Sequence, residues 1–237
     1  MKTIGLIGGL SWESTLEYYR IINQQVRNLR GHGLESAKIV LYSFNFAEIV
    51  VLQNQHRWDE ATARMVEAGI SLRNSGAEFL AICTNTMHLM ADQVSEAAGL
   101  PLIHIADVTA ERVKAQGLRR VGLLGTRFTM EADFYRERMH QRHGLDVIIP
   151  EEPDRSIVHQ IIYEELCAGV IKPESKEVYK GVIHRLGLRG AEGVLLGCTE
   201  IPLLVQQSDC ALPLFDTTTI HAEAIAEQAV GQTVHVG

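Results

Sequence analysis

Three segments of this 237-residue chain recur in the same order at nearly constant spacing. IGLIGG, from Ile4, resembles VGLLGT, from Val121, 117 positions later. GAEFLAICTNT, from Gly76, resembles GAEGVLLGCTE, from Gly190, and the spacing of 114 becomes 115 at Cys83 and Cys198. LPLIH, from Leu100, matches LPLFD, from Leu212, 112 positions on. The first pair is also followed by helix-like stretches containing Tyr18-Tyr19-Arg20 and Phe134-Tyr135-Arg136. One such anchor is what convergent strand composition produces. Three in order point to two homologous lobes.

Each lobe reads as alternating strands and helices. Short apolar runs rich in Val, Ile and Leu occur at 3–7, 38–43, 79–82, 102–105, 121–124, 146–149, 193–196 and 212–215. Continuous apolar runs between helical segments are the pattern of buried parallel strands. Ser14 and Glu17 fit a capping box ahead of a helix over 16–29, and Pro173 fits the first turn of a helix over 174–188. The expected fold class is α/β: two pseudo-symmetric lobes, each a mostly parallel sheet flanked by helices, with the active site in the cleft between them. Residues 1–105 form the first lobe, joined by 211–237, and 106–210 form the second.

The repeat places one cysteine per lobe at the carboxyl end of a predicted buried strand, where open α/β sheets bind ligands. Cys83 precedes Thr84-Asn85-Thr86, a natural cap for a helix through His88 to Ala98, and Cys198 precedes Thr199-Glu200. A helix N-terminus behind each thiol is expected to lower its pKa from roughly 8.5. Lobes facing each other across an approximate twofold axis would set the two thiols on opposite sides of one small ligand. One thiolate would then remove a proton from carbon while the other thiol delivers one to the opposite face. Such symmetric chemistry suits a substrate and product that are mirror images. Cys167, in a helix-like stretch over 157–168, and Cys210 read instead as buried small hydrophobes, and all four cysteines as reduced thiols, since four cysteines without a CxxC pair make no disulfide framework.

CTNTMH, residues 83–88, and GCTEIPLL, residues 197–204, resemble the two signature segments of the aspartate/glutamate racemase family. IGLIGGLSWEST at the start resembles its aspartate racemase branch, which includes broad-specificity bacterial amino-acid racemases. The resemblance runs essentially the whole chain and implies racemisation without pyridoxal phosphate or metal, with Cys83 and Cys198 each serving one enantiomer. It further implies that Thr84, Asn85, Thr86, Thr199 and Glu200 bind the α-carboxylate and amine, and that Leu10 and Ser11 approach the ligand through backbone groups. Thr126, the repeat counterpart of Gly9, lines the second-lobe side, and Gln53 is a candidate for the side-chain end of the substrate. Aspartate-specific members are expected to place a basic residue at the distal carboxylate. The segment 44–53 has none, Cys167 stands where a lysine would be unsurprising, and Arg57, Arg127 and Lys172 are the remaining candidates. Glutamate and neutral amino acids such as homoserine therefore stand beside aspartate as substrates. A homodimer is a family-level expectation.

Other chemistries find less support. A net charge of −7 supplies no basic face for nucleic acid. No apolar run approaches the length of a membrane span, and the glycine-broken N-terminus does not read as a signal peptide, so a cytoplasmic protein is expected. Gly5-Leu6-Ile7-Gly8-Gly9 lacks the G-x-G-x-x-G spacing of a dinucleotide site, with only Asn45 and Glu48 near the second strand end. The ten histidines are scattered; His140 and His143 make a pair without a third metal ligand. Lys2, Lys38, Lys114, Lys172, Lys176 and Lys180 do not adjoin a phosphate-cradling glycine loop that would hold pyridoxal phosphate. His88, His104 and Asp216 read equally as groups that tune the site and as satisfied structural groups. The rival functions are a maleate cis–trans isomerase, an arylmalonate decarboxylase-like lyase, and a two-lobed ligand-binding module. Decarboxylation needs only one proton donor, and a binding module gives no reason for paired thiols.

Overall fold

Ile4–Gly8 is buried at every position, so its peptide groups must pair inside the protein. It does this as β1, the central strand of a parallel sheet in a computed structural model that describes residues 1–31 and 33–231. β2 (Ile39–Ser43) and β3 (Phe79–Ile82) flank it, with Ile4 opposite Ile39 on one side and Phe79 on the other. His32, His235 and the end of the return segment, 232–237, lie outside the described residues.

Helices cover this first sheet. α1 (Trp12–Arg30) buries Ser14, Thr15, Tyr18, Ile22 and Val26, the spacing of one helical face. Its N-cap is Ser11, whose hydroxyl accepts from the Ser14 N–H, rather than Ser14. The helix starts earlier than the sequence predicts because Gly9 already turns the chain. α2 (Phe46–Asn54), α3 (Trp58–Asn74) and α4 (Ala91–Ala98) follow, with a 3-10 turn at Thr86–Met90 before α4. Ile7, Leu52, Met65, Leu72, Leu80, Met87 and Val94 belong to their shared core. Full burial of each such side chain is worth about 1.5–3 kcal/mol. The strand predicted at 102–105 shrinks to a single parallel bridge, Leu80 to Leu102, because α5 (Ile105–Ala115) begins at once.

The second sheet has β4 (Arg120–Leu124) beside β5 (Asp146–Ile148) and β6 (Gly193–Leu196), with β7 (Leu214–Asp216) outside β6. Its order, β5-β4-β6-β7, repeats β2-β1-β3 followed by the Leu102 bridge. With it in the second unit lie α6 (Arg127–Glu131), α7 (Asp133–His143), α8 (Asp154–Glu164), α9 (Pro173–Leu188) and α10 (Ile201–Leu204), and α11 (Thr217–Val230) follows β7. Pro173 opens α9 as expected, since a first-turn proline forgoes no helical hydrogen bond. The helical reading of 157–168 resolves into α8 and a 3-10 turn, Leu166–Ala168, which buries Leu166 and leaves Cys167 exposed rather than buried, while Cys210 is half-buried.

The chain divides into two compact units, Met1–Ile105 with the segment from His221, and Ala106–Ile220. Residues 211–220, expected with the first lobe, belong to the second, because Leu214–Asp216 takes its hydrogen bonds from β6. The return to the first unit comes within α11. No described helix is long and apolar enough to cross a membrane.

Candidate active site

In the first unit the site grows from two glycines and the end of β3. Gly9 has φ of 71°, and a Cβ there would collide with the backbone of Phe44. This close approach lets the Phe44 N–H reach the Gly8 carbonyl at 3.0 Å and leaves Leu10 buried in the core. Thr15 holds the turn, its hydroxyl accepting from the Gly9 N–H and donating to the Ser11 carbonyl, both at 2.9 Å.

Cys83 follows β3 directly. Its N–H donates to the Ile7 carbonyl at 2.9 Å, and its own carbonyl accepts from the Ser14 hydroxyl at 3.1 Å. Thr84 and Thr86 are half-buried beside it and Asn85 is buried. His88 Nδ1 lies 2.7 Å from the Thr84 carbonyl. Gln53, buried in α2, donates its amide to the Met87 sulfur at 3.2 Å.

The second unit repeats the layout with different side chains. Gly197, after β6, donates its N–H to the Leu124 carbonyl at 2.7 Å, and a Cβ at Gly197 would sit 2.9 Å from that oxygen. Cys198 follows, half-buried, and its thiol donates to Glu200 Oε2 at 2.9 Å. The Thr199 hydroxyl donates to the same oxygen at 2.8 Å. Thr126, at the end of β4, caps α6 and shares a hydroxyl contact of 3.3 Å with Thr129.

The thiol pKa expectation is overturned. Burial pushes the Cys83 thiol well above its ordinary value. Burial, then the charge and hydrogen bond of Glu200, push Cys198 up as well. The helical turns that follow are too weak to compensate: Thr86–Met90 is a 3-10 turn and α10 has four residues. A short run of aligned peptide dipoles offers about 0.3–1 kcal/mol, less than the desolvation of a buried thiolate. Both thiols therefore hold their protons at neutral pH.

Thr84, Asn85 and Thr86 adjoin Cys83 in one turn, with Leu10 and Ser11 at the neighbouring end of β1. Thr199 and Glu200 adjoin Cys198. Gln53 is linked to the first group through Met87. Arg57, Arg127 and Lys172, considered for a distal carboxylate, are each exposed and ion-paired, with Glu60, Glu131 and Glu165. Ser14 escaped the sequence reading because its spacing to Glu17 suggested a cap. The bond from its hydroxyl spans 69 positions to Cys83 and leaves no local pattern. Among the described residues, no group of three or more His, Cys, Asp or Glu side chains is placed to hold a metal ion.

Comparison with known proteins bears on the family and the fold. A candidate Asp/Glu racemase from Yersinia pestis is 53% identical, covers 97% of this chain and 100% of its own, and superposes with a TM-score of 0.93. An aspartate racemase homologue from Pyrococcus horikoshii is 36% identical over the same shares, with a TM-score of 0.85. A broad-specificity amino-acid racemase of Bacillus subtilis is 18% identical over 93% of this chain and 95% of its own. The family described as Asp/Glu/hydantoin racemase matches residues 7–225. With that match spanning most of its length, the chain belongs to the Asp/Glu/hydantoin racemase family of isomerases.

Proposed function

We propose that this racemase inverts the α-carbon of amino acids by two-base proton transfer between Cys83 and Cys198, without a cofactor. The observation that carries the reading is the matched placement of the two thiols. Each follows the strand beside the centre of its sheet, in two sheets of one strand order, next to a turn at the end of the central strand. Two equivalent proton carriers serve a reaction whose two directions are mirror images.

Because both thiols rest protonated, one must first lose its proton. Glu200, 2.9 Å from the Cys198 sulfur, is the group placed to accept it. The Cys198 thiolate then takes the α-proton of one enantiomer, and the Cys83 thiol gives its proton to the opposite face. The enzyme is left with a Cys83 thiolate and a Cys198 thiol, which is the form that processes the other enantiomer. The hydroxyls and amide of Thr84, Asn85, Thr86 and Thr199, with Ser11 and Thr126, bind the α-carboxylate and ammonium groups. Names of the relatives, aspartate racemase homologue and broad-specificity racemase, support aspartate, glutamate and a wider set as substrates.

The test is proton exchange followed by NMR in deuterated water, with L-aspartate, L-glutamate and L-homoserine. The wild type is expected to build up α-deuterated D-enantiomer, and Cys83→Ala and Cys198→Ala are expected to lose racemisation. No exchange with these or a broader amino-acid panel would overturn the reading and direct the same assay to maleate and related diacids.

A further inference from the structure

Behind the Cys83 turn the first unit buries three imidazoles and a phenol that the proton-transfer scheme does not use. His88, His104 and His221 are each 4% exposed or less. The His88 ring meets His104 edge-on at 4.7 Å between centroids and His221 at 5.3 Å. Hydrogen-bonding rules settle two of the tautomers. His221 Nε2 lies 2.9 Å from the Ile103 carbonyl, which can only accept, so Nε2 carries the hydrogen. Its Nδ1 must then accept from the Tyr18 hydroxyl, 2.8 Å away. By the same argument His88 carries its hydrogen on Nδ1, facing the Thr84 carbonyl at 2.7 Å. Burial, followed by the neighbouring His104 and His221, holds His88 well below its ordinary pKa, so the ring is neutral.

The Cys83–Thr84 turn is thereby fixed at three backbone groups. The Cys83 N–H is held by β1, the Cys83 carbonyl by Ser14, and the Thr84 carbonyl by His88. Among the described residues, the second unit has no imidazole at the equivalent place. Position 203, five residues after Cys198 as His88 is five after Cys83, is a leucine 60% exposed. A buried imidazole is a costly way to satisfy one carbonyl unless the orientation of that peptide matters, because an apolar side chain would fill the space without desolvating a ring.

We infer that His88 is a positioning residue for Cys83, aiming the thiol by holding the Thr84 carbonyl through a fixed Nδ1–H tautomer braced by His104 and His221. The inference rests on the reading of Cys83 as a proton carrier. It requires an N–H donor at the place of Nδ1, which an asparagine amide supplies and a glutamine amide, reaching the place of Nε2, does not.

The test compares His88→Ala, His88→Asn and His88→Gln with the wild type and Cys83→Ala in racemisation of aspartate, glutamate and homoserine. His88→Ala is expected to lower kcat about 10–100-fold, the scale of a misplaced reacting group, with KM within about threefold. His88→Asn is expected to recover most of that loss and His88→Gln little of it. Imidazole 15N NMR of the wild type is expected to show a neutral Nδ1–H tautomer at His88 whether or not substrate is present. Equal activity of the Asn and Gln variants, or an Nε2–H tautomer, would overturn the inference; if His88→Ala fails to fold, the Asn and Gln pair still decides. An active Cys83→Ala variant would instead overturn the two-thiol reading, whereas an inactive one beside a fully active His88→Ala would sink the role of His88 alone.

Discussion

The Cys83 and Cys198 turns occupy equivalent places in two sheets of the same strand order, yet different chemistry surrounds them. Cys83 is fully buried, and its turn is tied down through backbone groups by Ser14 and His88. Cys198 is half-buried, and its thiol rests directly on a carboxylate, Glu200. The strand ends beside them diverge too. His104 lies in the imidazole cluster, while its repeat counterpart Asp216 accepts from the Thr218 and Thr219 N–H groups at 3.0 and 3.3 Å. Duplication kept the backbone that delivers a thiol to a strand end. The side chains around that backbone set how tightly each thiol holds its proton, and they were free to differ. Burial raises both thiols, and at Cys198 the charge and hydrogen bond of Glu200 raise it further.

The largest expected contrast is in acid stability. Burial lowers His221 from 6.5 to about 4, and His88 is also depressed by burial and its neighbours. A histidine with a depressed folded pKa leaves the unfolded chain binding more protons, so its contribution is complete above about pH 6.5 and is lost as pH falls toward 4. For His221 the loss is on the order of 3 kcal/mol. In the second unit burial of Asp107 is outweighed by its hydrogen bonds to Arg138 and His143, which hold its pKa below 3.8. That contribution is present above pH 3.8 and is lost only below it. Hydrogen exchange followed by fragment between pH 7 and 4 should show the first unit opening first. Equal loss in both units would break the comparison.

Glu200→Gln comes next. It removes the proposed proton acceptor of Cys198 and also the charge that helps raise that thiol's pKa. A kcat loss of about 100-fold is expected, the lower end of the range for one acid–base group. The pH profile of Cys198 alkylation should move to lower pH, and an unmoved profile would mean that Glu200 does not govern the thiol. Tyr18→Phe is smaller. It strips the donor from the buried His221 Nδ1 and should lower stability by about 1–2 kcal/mol, read from the urea midpoint. Ser14→Ala is expected to have the smallest effect. Losing its bond to the Cys83 carbonyl should reduce kcat by about 3–10-fold, roughly one hydrogen bond, and lower stability by about 1 kcal/mol, read from the urea midpoint. A loss of the size expected for Glu200→Gln would mean that orientation matters as much as charge.

Much of the architecture is legible along the chain because strands and turns are local. The runs at 4–8, 121–124 and 193–196 are continuously apolar, and the glycines after them sit where a side chain would strike a neighbouring backbone. The repeat spacing alone marks Cys83 and Cys198 as counterparts. Legibility fails where two partners compete for one residue. Ser14 pairs with Glu17 in spacing but with Cys83 in space, and the cap falls to Ser11. Leu214–Asp216 reads as a strand, but its sheet depends on which edge is open, and β6 offers it.

What the sequence by itself determined is the α/β class, the duplication and the family, since each is written in periodicities and short motifs that need no partner to be read. Only the tertiary structure decided how deeply the thiols are buried and which contacts Glu200, Ser14 and His88 make around them. Desolvation depends on every atom that excludes water from a group, and hydrogen bonds depend on which distant side chain arrives within about 3 Å. Neither quantity exists until the chain has folded.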